Sequence, residues 1–350
     1  MKKKVFAAMS GGIDSSVAAY LLLREGYDVT GATMTLYHPD PTQGDSLDVR
    51  DARSVCKQLG IPHVTYAMED DFRRAVIDDF ISVYEAGGTP NPCVTCNKRI
   101  KFGTLMNAVT ADGGDLMATG HYARVQKDGN GRTLLLRGRD ESKDQSYFLW
   151  QLTEDVLSRV LFPLGDMTKG EIRELGQALN LSTAHKSDSQ DICFVPDGKY
   201  AEFIEAYTGK VPRGGCFVDE QGNILGQHRG IIHYTVGQRK GLGIALGAPM
   251  FVLSKNPLDN TVTLGGNSSL FTNEVYLKDL NLIATDRLDA PMRVWVKLRS
   301  THKGAMATLE ATGERTARLT FDEAQRAAAM GQSAVFYDGD VVVGGGVITV

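Results

Sequence analysis

The chain lacks several features that would place it quickly. No apolar run approaches the length needed to cross a bilayer. The opening "MKKKVFAAMSGG" imitates a secretory leader, but its apolar run stops at Ser10, short of the roughly 7 to 15 residues of an h-region. Cysteines number five in 350 residues (Cys56, Cys93, Cys96, Cys193, Cys216), an odd set that excludes a disulfide framework. A reducing, cytoplasmic setting is therefore expected, in which a disulfide is catalytic rather than structural. Charge of either sign is not in large excess: the formal net charge is −4, and residues 201–350 hold 15 basic and 15 acidic side chains. That balance excludes a globally basic surface, so any nucleic-acid footprint must be local. No internal repeat or low-complexity tract occurs.

What is present begins with "AAMSGGIDSS", residues 7–16. A Walker loop would follow its second glycine with Lys and then Ser or Thr, and here Gly12 is followed by Ile13, Asp14 and Ser15. Val5 to Met9 reads as a buried strand and Ser15 to Glu25 as a helix ending at Gly26, which puts the glycines at a strand-to-helix turn. Unpaired amides and the positive end of the helix dipole make such a turn an anion site. Ser10 and Ser15 add hydroxyl donors. With no lysine in the loop and Asp14 inside it, the expected anion is a pyrophosphate accompanied by a metal ion. The plainer reading is a tight turn with Asp14 or Ser15 as N-cap. The string resembles the PP-loop of the ATP pyrophosphatases, which split ATP into AMP and pyrophosphate to adenylate a substrate oxygen.

The first half of the chain alternates strand and helix. Strands are predicted at Val5 to Met9, Asp28 to Leu36, His63 to Ala67 and Leu116 to Thr119, and helices at Ser15 to Glu25, Leu47 to Leu59, Asp71 to Glu85 and near Phe102 to Val109. This pattern predicts an α/β fold with a doubly wound parallel sheet, and ligands at the carboxyl ends of its strands. Met34 and Gly120 fall at two such ends. "KDGNGR" reads as a hairpin turn, and helices are predicted at Ser146 to Leu161 and Lys169 to Leu179. Beyond about residue 210, short glycine-punctuated apolar runs take over, apart from a helix expected at Glu323 to Met330. Six such runs between Asn273 and Val350 predict a small antiparallel β-barrel. The domain expectation is thus 1–209 as the PP-loop catalytic domain, 210–270 as a small central module and 271–350 as the C-terminal barrel.

Two cysteine stretches carry the remaining chemistry. In "TPNPCVTCNKRIKFG", residues 89–103, the prolines forbid regular structure up to Pro92 and Asn97 can cap the following helix. That places Cys96 beside a helix N-terminus, with Lys98, Arg99 and Lys101 nearby, where a thiolate is stabilised. The competing reading is half of a zinc site, from the spacing of Cys93 and Cys96, although no second pair of that form occurs. In "HKSDSQDICFVPDG", residues 185–198, Cys193 alone would read as a buried small hydrophobe.

Taken with "ATGHYAR", "DESKDQSYFL", "DSQDICF", "HYTVGQRKGLG" and "GQSAVFYDGDVVVGGGVI", the chain resembles the tRNA-specific 2-thiouridylases (tRNA-uridine 2-sulfurtransferases) over nearly all its length. The resemblance implies ATP-dependent 2-thiolation of the wobble uridine of tRNA, U34, by adenylation of the uracil C2 oxygen and sulfur transfer. It implies that Cys193 carries a persulfide and that Cys96 is its nucleophilic partner, the two ending as a disulfide. Ala8, Met9, Ser10, Gly11, Gly12, Ile13, Asp14, Ser15, Met34 and Gly120 would line the ATP site, with Mg²⁺ assisting. Asn91, Pro92 and Cys93 would touch the target base, and His121, Lys143, Asp144, Gln145, Arg299, Ser300 and Gln332 would contact tRNA at its anticodon stem-loop. A cysteine desulfurase or sulfur-relay protein would supply the sulfur. Where many members have Asp, this chain has Cys93, which can compete as a thiol.

The residues also suggest how RNA is gripped. Alternation in "RVWVKLRS" puts Arg293, Trp295, Lys297 and Arg299 on one strand face and Val294, Val296 and Leu298 on the other. The first set suits phosphate contact and base stacking, or is an ordinary solvated face. The turn at residues 143–145 can likewise be plain surface. Two other functions compete: a PP-loop amide ligase, which would need no paired thiols, and a non-catalytic RNA-binding protein with zinc at Cys93 and Cys96.

Overall fold

The structure, a computed structural model, describes residues 2–37, 47–184, 186, 192–195, 198–245 and 247–349. The chain forms two compact units, one of Met1–Val76, Cys93–Gln190 and Asp340–Val342, the other of Ile77–Pro92, Asp191–Gly339 and Val343–Val350.

The first unit is built on strands β1 (Lys4–Ala8), β2 (Asp28–Thr35), β3 (His63–Ala67), β4 (Leu116–Ala118), β5 (Ala123–Lys127), β6 (Thr133–Arg137) and β7 (Val160–Leu161). Its main sheet has the order β3-β2-β1-β4-β7 and is parallel throughout. The chain leaves β1 toward β2 and β3, then returns to β4 on the other side of β1. A switch of that kind opens a crevice at the carboxyl ends of the strands, where open α/β sheets bind ligands. Helices α1 (Ile13–Arg24) and α2 (Leu47–Leu59) flank the sheet, and Val5, Ala7, Val17, Leu22, Val29, Val55, Cys56 and Ile172 close the core between them. β5 and β6 form the expected hairpin.

Two local expectations are corrected. Ser146 to Leu161 is not one helix but a 3-10 turn at Ser146–Phe148, a single helical turn at Glu154–Leu157 and β7. Pairing of Val160 with Met117 at the sheet edge overrides helical spacing there. The expected helix near Phe102 is one part of a longer one, α-helical at Pro92–Cys96, π-helical at Asn97–Leu105 and α-helical again at Met106–Ala111.

The second unit carries a four-stranded sheet in the order β10-β11-β8-β9, from β8 (Gly215–Val218), β9 (Ile224–His228), β10 (Phe251–Asn256) and β11 (Thr261–Gly265). Its barrel comprises β12 (Phe271–Leu282), β13 (Met292–Lys297), β14 (Ala305–Gly313), β15 (Thr316–Arg326), β16 (Ser333–Asp338) and β17 (Val341–Thr349). The order is β12-β15-β14-β13-β16-β17, and pairing of β12 with β17 closes it, leaving no free edge. Val294, Val296, Leu298, Leu309, Leu319, Phe321 and Phe336 fill the interior. The predicted helix at Glu323 to Met330 is absent: β15 runs on to Arg326, with Gln325 and Arg326 paired to Thr272 and Phe271, and Ala327 turns the chain at φ +56°. Alanine-rich sequence favours helix only weakly, and sheet pairing outweighs it.

Candidate active site

The glycine turn sits where the sheet switches direction. Beyond Ala8, the Met9 amide still donates to Ala32 O at 2.7 Å, so the chain leaves β1 late. Gly11 then takes φ +67°, the left-handed region, and a Cβ there would lie 2.7 Å from Asp48 O. Gly12 is the N-cap of α1 and receives no side-chain cap, which dismisses Asp14 or Ser15 in that role. The serines close the loop instead: Ser10 N donates to Ser15 Oγ at 3.2 Å, and Ser15 Oγ and Ser16 Oγ donate to Gly12 O at 3.1 and 2.8 Å. Gly120, two residues past β4, packs so closely that an added Cβ would be 2.9 Å from Ser15 N. Ala8, Met9, Ile13, Met34 and Gly120 thus belong to one carboxyl edge of one sheet.

A cation, absent from the loop's sequence, is supplied by the fold. Lys169 Nζ lies 2.8 and 2.9 Å from the two Asp14 carboxylate oxygens, and Tyr122 OH donates to Asp14 Oδ1 at 2.8 Å. Lys169 is only 6% exposed. It opens the helix Lys169–Ala178, whose N-terminus is set by a capping box of Thr168 and Glu171. The Lys169 amide donates to Asp140 Oδ2 at 3.0 Å, and Gly176 lets the helix approach α1, because a Cβ there would be 2.7 Å from Ile13 Cδ1. Lys169 and Tyr122 were not legible as site residues. "TKGE" marks a helix start, but nothing in it points to residue 14.

The turn at 143–145 is neither plain surface nor a free set of polar groups. Gln145 Oε1 accepts from Tyr122 N at 3.0 Å and Gln145 N donates to Tyr122 O at 2.9 Å, so Gln145 fixes the residue that holds Asp14. Asp144 accepts from Gly138 N, Ser146 N and Ser146 Oγ at 3.0, 3.1 and 2.9 Å. Lys143 is half-buried beside them.

The cysteine helix starts at Pro92, whose missing N–H costs nothing at the first helical position. Asn97 is therefore not its cap. It is buried inside the helix, and its Nδ2 donates to Phe148 O at 3.0 Å. Cys96 lies a turn further in than expected and Cys93 is the thiol nearest the N-terminus. Cys93 is exposed and Cys96 buried. Burial pushes Cys96 above the usual thiol value, Lys101 pulls it back and Cys93 adds to the rise. Although the Cys93 side chain reaches the surface, the protein around its sulfur keeps water off it and likewise raises it, with Lys101 opposing. The resting site therefore holds thiols rather than the stabilised thiolate expected from sequence, and of the three nearby cations Lys101 is the one that acts. His121 joins this group. Its Nδ1 and Thr119 Oγ1 are 2.7 Å apart, and burial together with Lys101 holds the ring neutral, well below the usual histidine range. Residues 120–122 thus serve in turn: Gly120 abuts the glycine turn, His121 feels Lys101, and Tyr122 holds Asp14.

The second unit contains the rest. Cys193 is exposed, not a buried hydrophobe; Phe194 beside it is the anchor, packed 5.2 Å from Phe80 and 5.3 Å from Phe203. Of "HKSDSQDICFVPDG", residues 185, 187–191, 196 and 197 lie outside the described residues. Alternation in β13 is as expected, with Val294, Val296 and Leu298 buried. Arg293, however, is engaged at 2.6 Å by Asp322 of β15, two strands away in the sheet, which a search for acids along its own strand misses. Arg299 Nη1 donates to Arg326 O at 3.5 Å and Ser300 is half-buried. Trp295 packs on Tyr337 at 5.5 Å and over Gly304. Gln332 Nε2 donates to Thr89 O and Pro90 O at 3.1 and 3.0 Å, in the loop that leads to Asn91 and Pro92. Among the described residues no helix is long and apolar enough to cross a membrane.

Three family models match the chain in succession: the tRNA methyl transferase HUP domain over residues 3–197, the tRNA methyl transferase PRC-barrel domain over 201–266 and the aminomethyltransferase beta-barrel domain over 272–348. Similar relatives include the tRNA-specific 2-thiouridylase MnmA of Clostridioides difficile (strain 630), 48% identical over 355 residues, covering 99% of this chain and 98% of the relative. That of Acetivibrio thermocellus is 48% identical over 357 residues, covering 99% of both. That of Lachnoclostridium phytofermentans is 46% identical over 354 residues, again covering 99% of both.

Proposed function

The chain belongs to the tRNA-specific 2-thiouridylase family, and from that premise we propose that it thiolates C2 of the wobble uridine, U34, in the tRNA anticodon loop at the expense of ATP. The observation that carries the reading is the joining, in one unit, of a glycine turn built for an oxyanion with a helix that presents two thiols beside a lysine.

Uracil O2 is a poor leaving group, so it must first be activated. Attack of O2 on the α-phosphorus of ATP gives an O2-adenylate and pyrophosphate. The amides around Gly11 and Gly12 and the first turn of α1 stabilise the departing charge as oriented dipoles. Lys169 is the side-chain cation for the same anion once Asp14 releases it. Asp14 is the loop carboxylate that would hold Mg²⁺ together with the phosphates, in the usual manner of a magnesium site completed by its nucleotide. Such an ion would neutralise pyrophosphate.

Sulfur then replaces AMP at C2. Its source is a persulfide on Cys193, charged by a cysteine desulfurase or a sulfur-relay protein. The terminal sulfur forms the C2–S bond, AMP leaves with the C2–O bond electrons, and Cys96 forms a disulfide with Cys193 by attacking its Sγ and breaking the persulfide bond. A two-electron reductant then reopens the disulfide, consistent with a cytoplasmic setting. Asn91, Pro92 and Cys93, at the start of the cysteine helix, receive the base, which must be splayed out of the anticodon loop. Residues 1–209 supply the adenylation site, 210–270 the central module, and the barrel of 271–350 binds tRNA through Arg299 and Ser300.

The test incubates the protein with ATP, a persulfide donor and unmodified tRNA, and examines nucleosides by mass spectrometry for a uridine in which sulfur replaces oxygen. We expect that product with wild type and none with Cys96→Ser or Cys193→Ser. Equal product from Cys96→Ser would remove that residue from the mechanism, and retained activity in Cys193→Ser would favour an amide ligase.

A further inference from the structure

Residues 87–91, Gly-Gly-Thr-Pro-Asn, lead into the cysteine helix without belonging to any strand, yet their backbone is held from two sides. On one side is Lys255 of β10, only 8% exposed. Its Nζ donates to Gly88 O at 3.1 Å and to Tyr234 O at 2.9 Å, and lies 5.4 Å from the centre of the Tyr84 ring. On the other side is the turn before β16. There Gln332 Nε2 donates to Thr89 O and Pro90 O, and Met330 O accepts from Thr89 N at 2.8 Å. Three successive carbonyls, of Gly88, Thr89 and Pro90, therefore each receive a side-chain N–H. The fit is close: a Cβ on Gly87, at φ +81°, would be 3.0 Å from Lys255 O, and one on Gly331 would be 3.0 Å from Thr89 O.

We propose that Lys255 and Gln332 are positioning residues, a two-sided clamp that fixes the Gly88–Pro90 backbone and thereby sets where Asn91 and Cys93 meet the substrate base. The proposal rests on the reading that Asn91–Cys93 receives that base. Lys255 is an expensive way to hold a loop. Its partners are two carbonyl dipoles and a ring face rather than a carboxylate, and burial pulls it down to about 8. An apolar side chain of the same length would fill the space without that cost. Gln332, expected from the resemblance to contact tRNA, has its amide donors turned onto the loop.

The test compares Lys255→Met, which keeps length and loses the donors, with Gln332→Glu, which keeps shape and loses the N–H groups. Two readouts are taken on the full chain. In single-turnover thiolation of unmodified tRNA, each variant should slow product formation by about tenfold or more, since displacement of about 1 Å at a reacting group can cost that much. The KM for ATP should stay at the wild-type value. In alkylation with iodoacetamide followed by peptide mass spectrometry, labelling of Cys93 should change severalfold in each variant while labelling of buried Cys56 does not. Wild-type thiolation rates together with wild-type Cys93 labelling would overturn the clamp. So would Cys56 labelling that rises in step with Cys93, because that reports general loosening. The alkylation arm needs no turnover, so it judges the clamp even if wild type yields no 2-thiouridine, the result that would instead overturn the proposed reaction.

Discussion

Among the described residues two lysines are buried, one in each unit, and they are buried in opposite ways. Lys169 faces the Asp14 carboxylate, its charge met by a charge. Lys255 faces two backbone carbonyls and the Tyr84 ring. A buried cation paired with an anion can change partners when a second anion arrives, because the newcomer replaces what is lost. A buried cation held by peptide dipoles has no such exchange open to it, and can only keep the backbone where it is. The first arrangement suits a site that must admit and release phosphate; the second suits a scaffold that must not move.

The most severe break in this comparison is expected from Lys169→Met. It should reduce AMP formation from labelled ATP, in the presence of tRNA, by about a hundredfold or more, the scale of losing a charged stabiliser in a closed site. If ATP cleavage survives in Lys169→Met, the exchange-ready half of the contrast is gone. The next effect is on pH dependence. The folded value of Lys255, about 8, lies below its unfolded value of roughly 10.4. Between those limits the unfolded chain binds a proton that the folded chain lacks, so stability rises with pH there, and the cost of burial is fully present below about 8. Unfolding free energies from urea titrations at pH 7.5 and 9.5 should differ for wild type by on the order of 2 kcal/mol from this group, a difference absent in Lys255→Met. A smaller effect is expected from Gly120→Ala, whose Cβ would press on Ser15 N at 2.9 Å. It should raise the KM for ATP about fivefold, corresponding to roughly 1 kcal/mol of strain, and leave alkylation of Cys93 unchanged. Smallest of all is Arg293→Ala. Its guanidinium is already engaged by Asp322, so tRNA affinity should stay within about twofold, whereas Arg299→Ala should lower the salt dependence of binding by about one ion.

The parts legible in the sequence were those in which neighbours along the chain determine the outcome. The parallel sheet followed from alternating runs, and the glycine turn from two Gly, two Ser and an Asp at a strand end. Barrel strands followed from apolar runs of strand length with turns between them, and β13 buries the residues that its alternation assigns to the core. The site was less legible because its decisive contacts are distant. Lys169 reaches across 155 positions to Asp14, and Lys255 across 167 to Gly88. Local inference misplaced the cap at Asn97, since prolines at 90 and 92 mark both a loop and the start of a helix, and only packing of Asn97 under Phe148 decides between them. It also made Glu323 to Met330 a helix, where pairing with β12 competed for the same residues and won. π-Helical winding at Asn97–Leu105 left no mark in composition at all.

Cys93 and Cys96 share Lys101 as their one favourable charge, and Cys93 lies close enough to Cys96 to raise it further. Two weak acids arranged in this way do not ionise independently: removing a proton from one makes the second harder to remove. Near neutrality this end of the helix therefore carries at most a single sulfur anion. Whichever sulfur loses its proton first makes its neighbour the weaker acid, so the pair offers one nucleophile at a time.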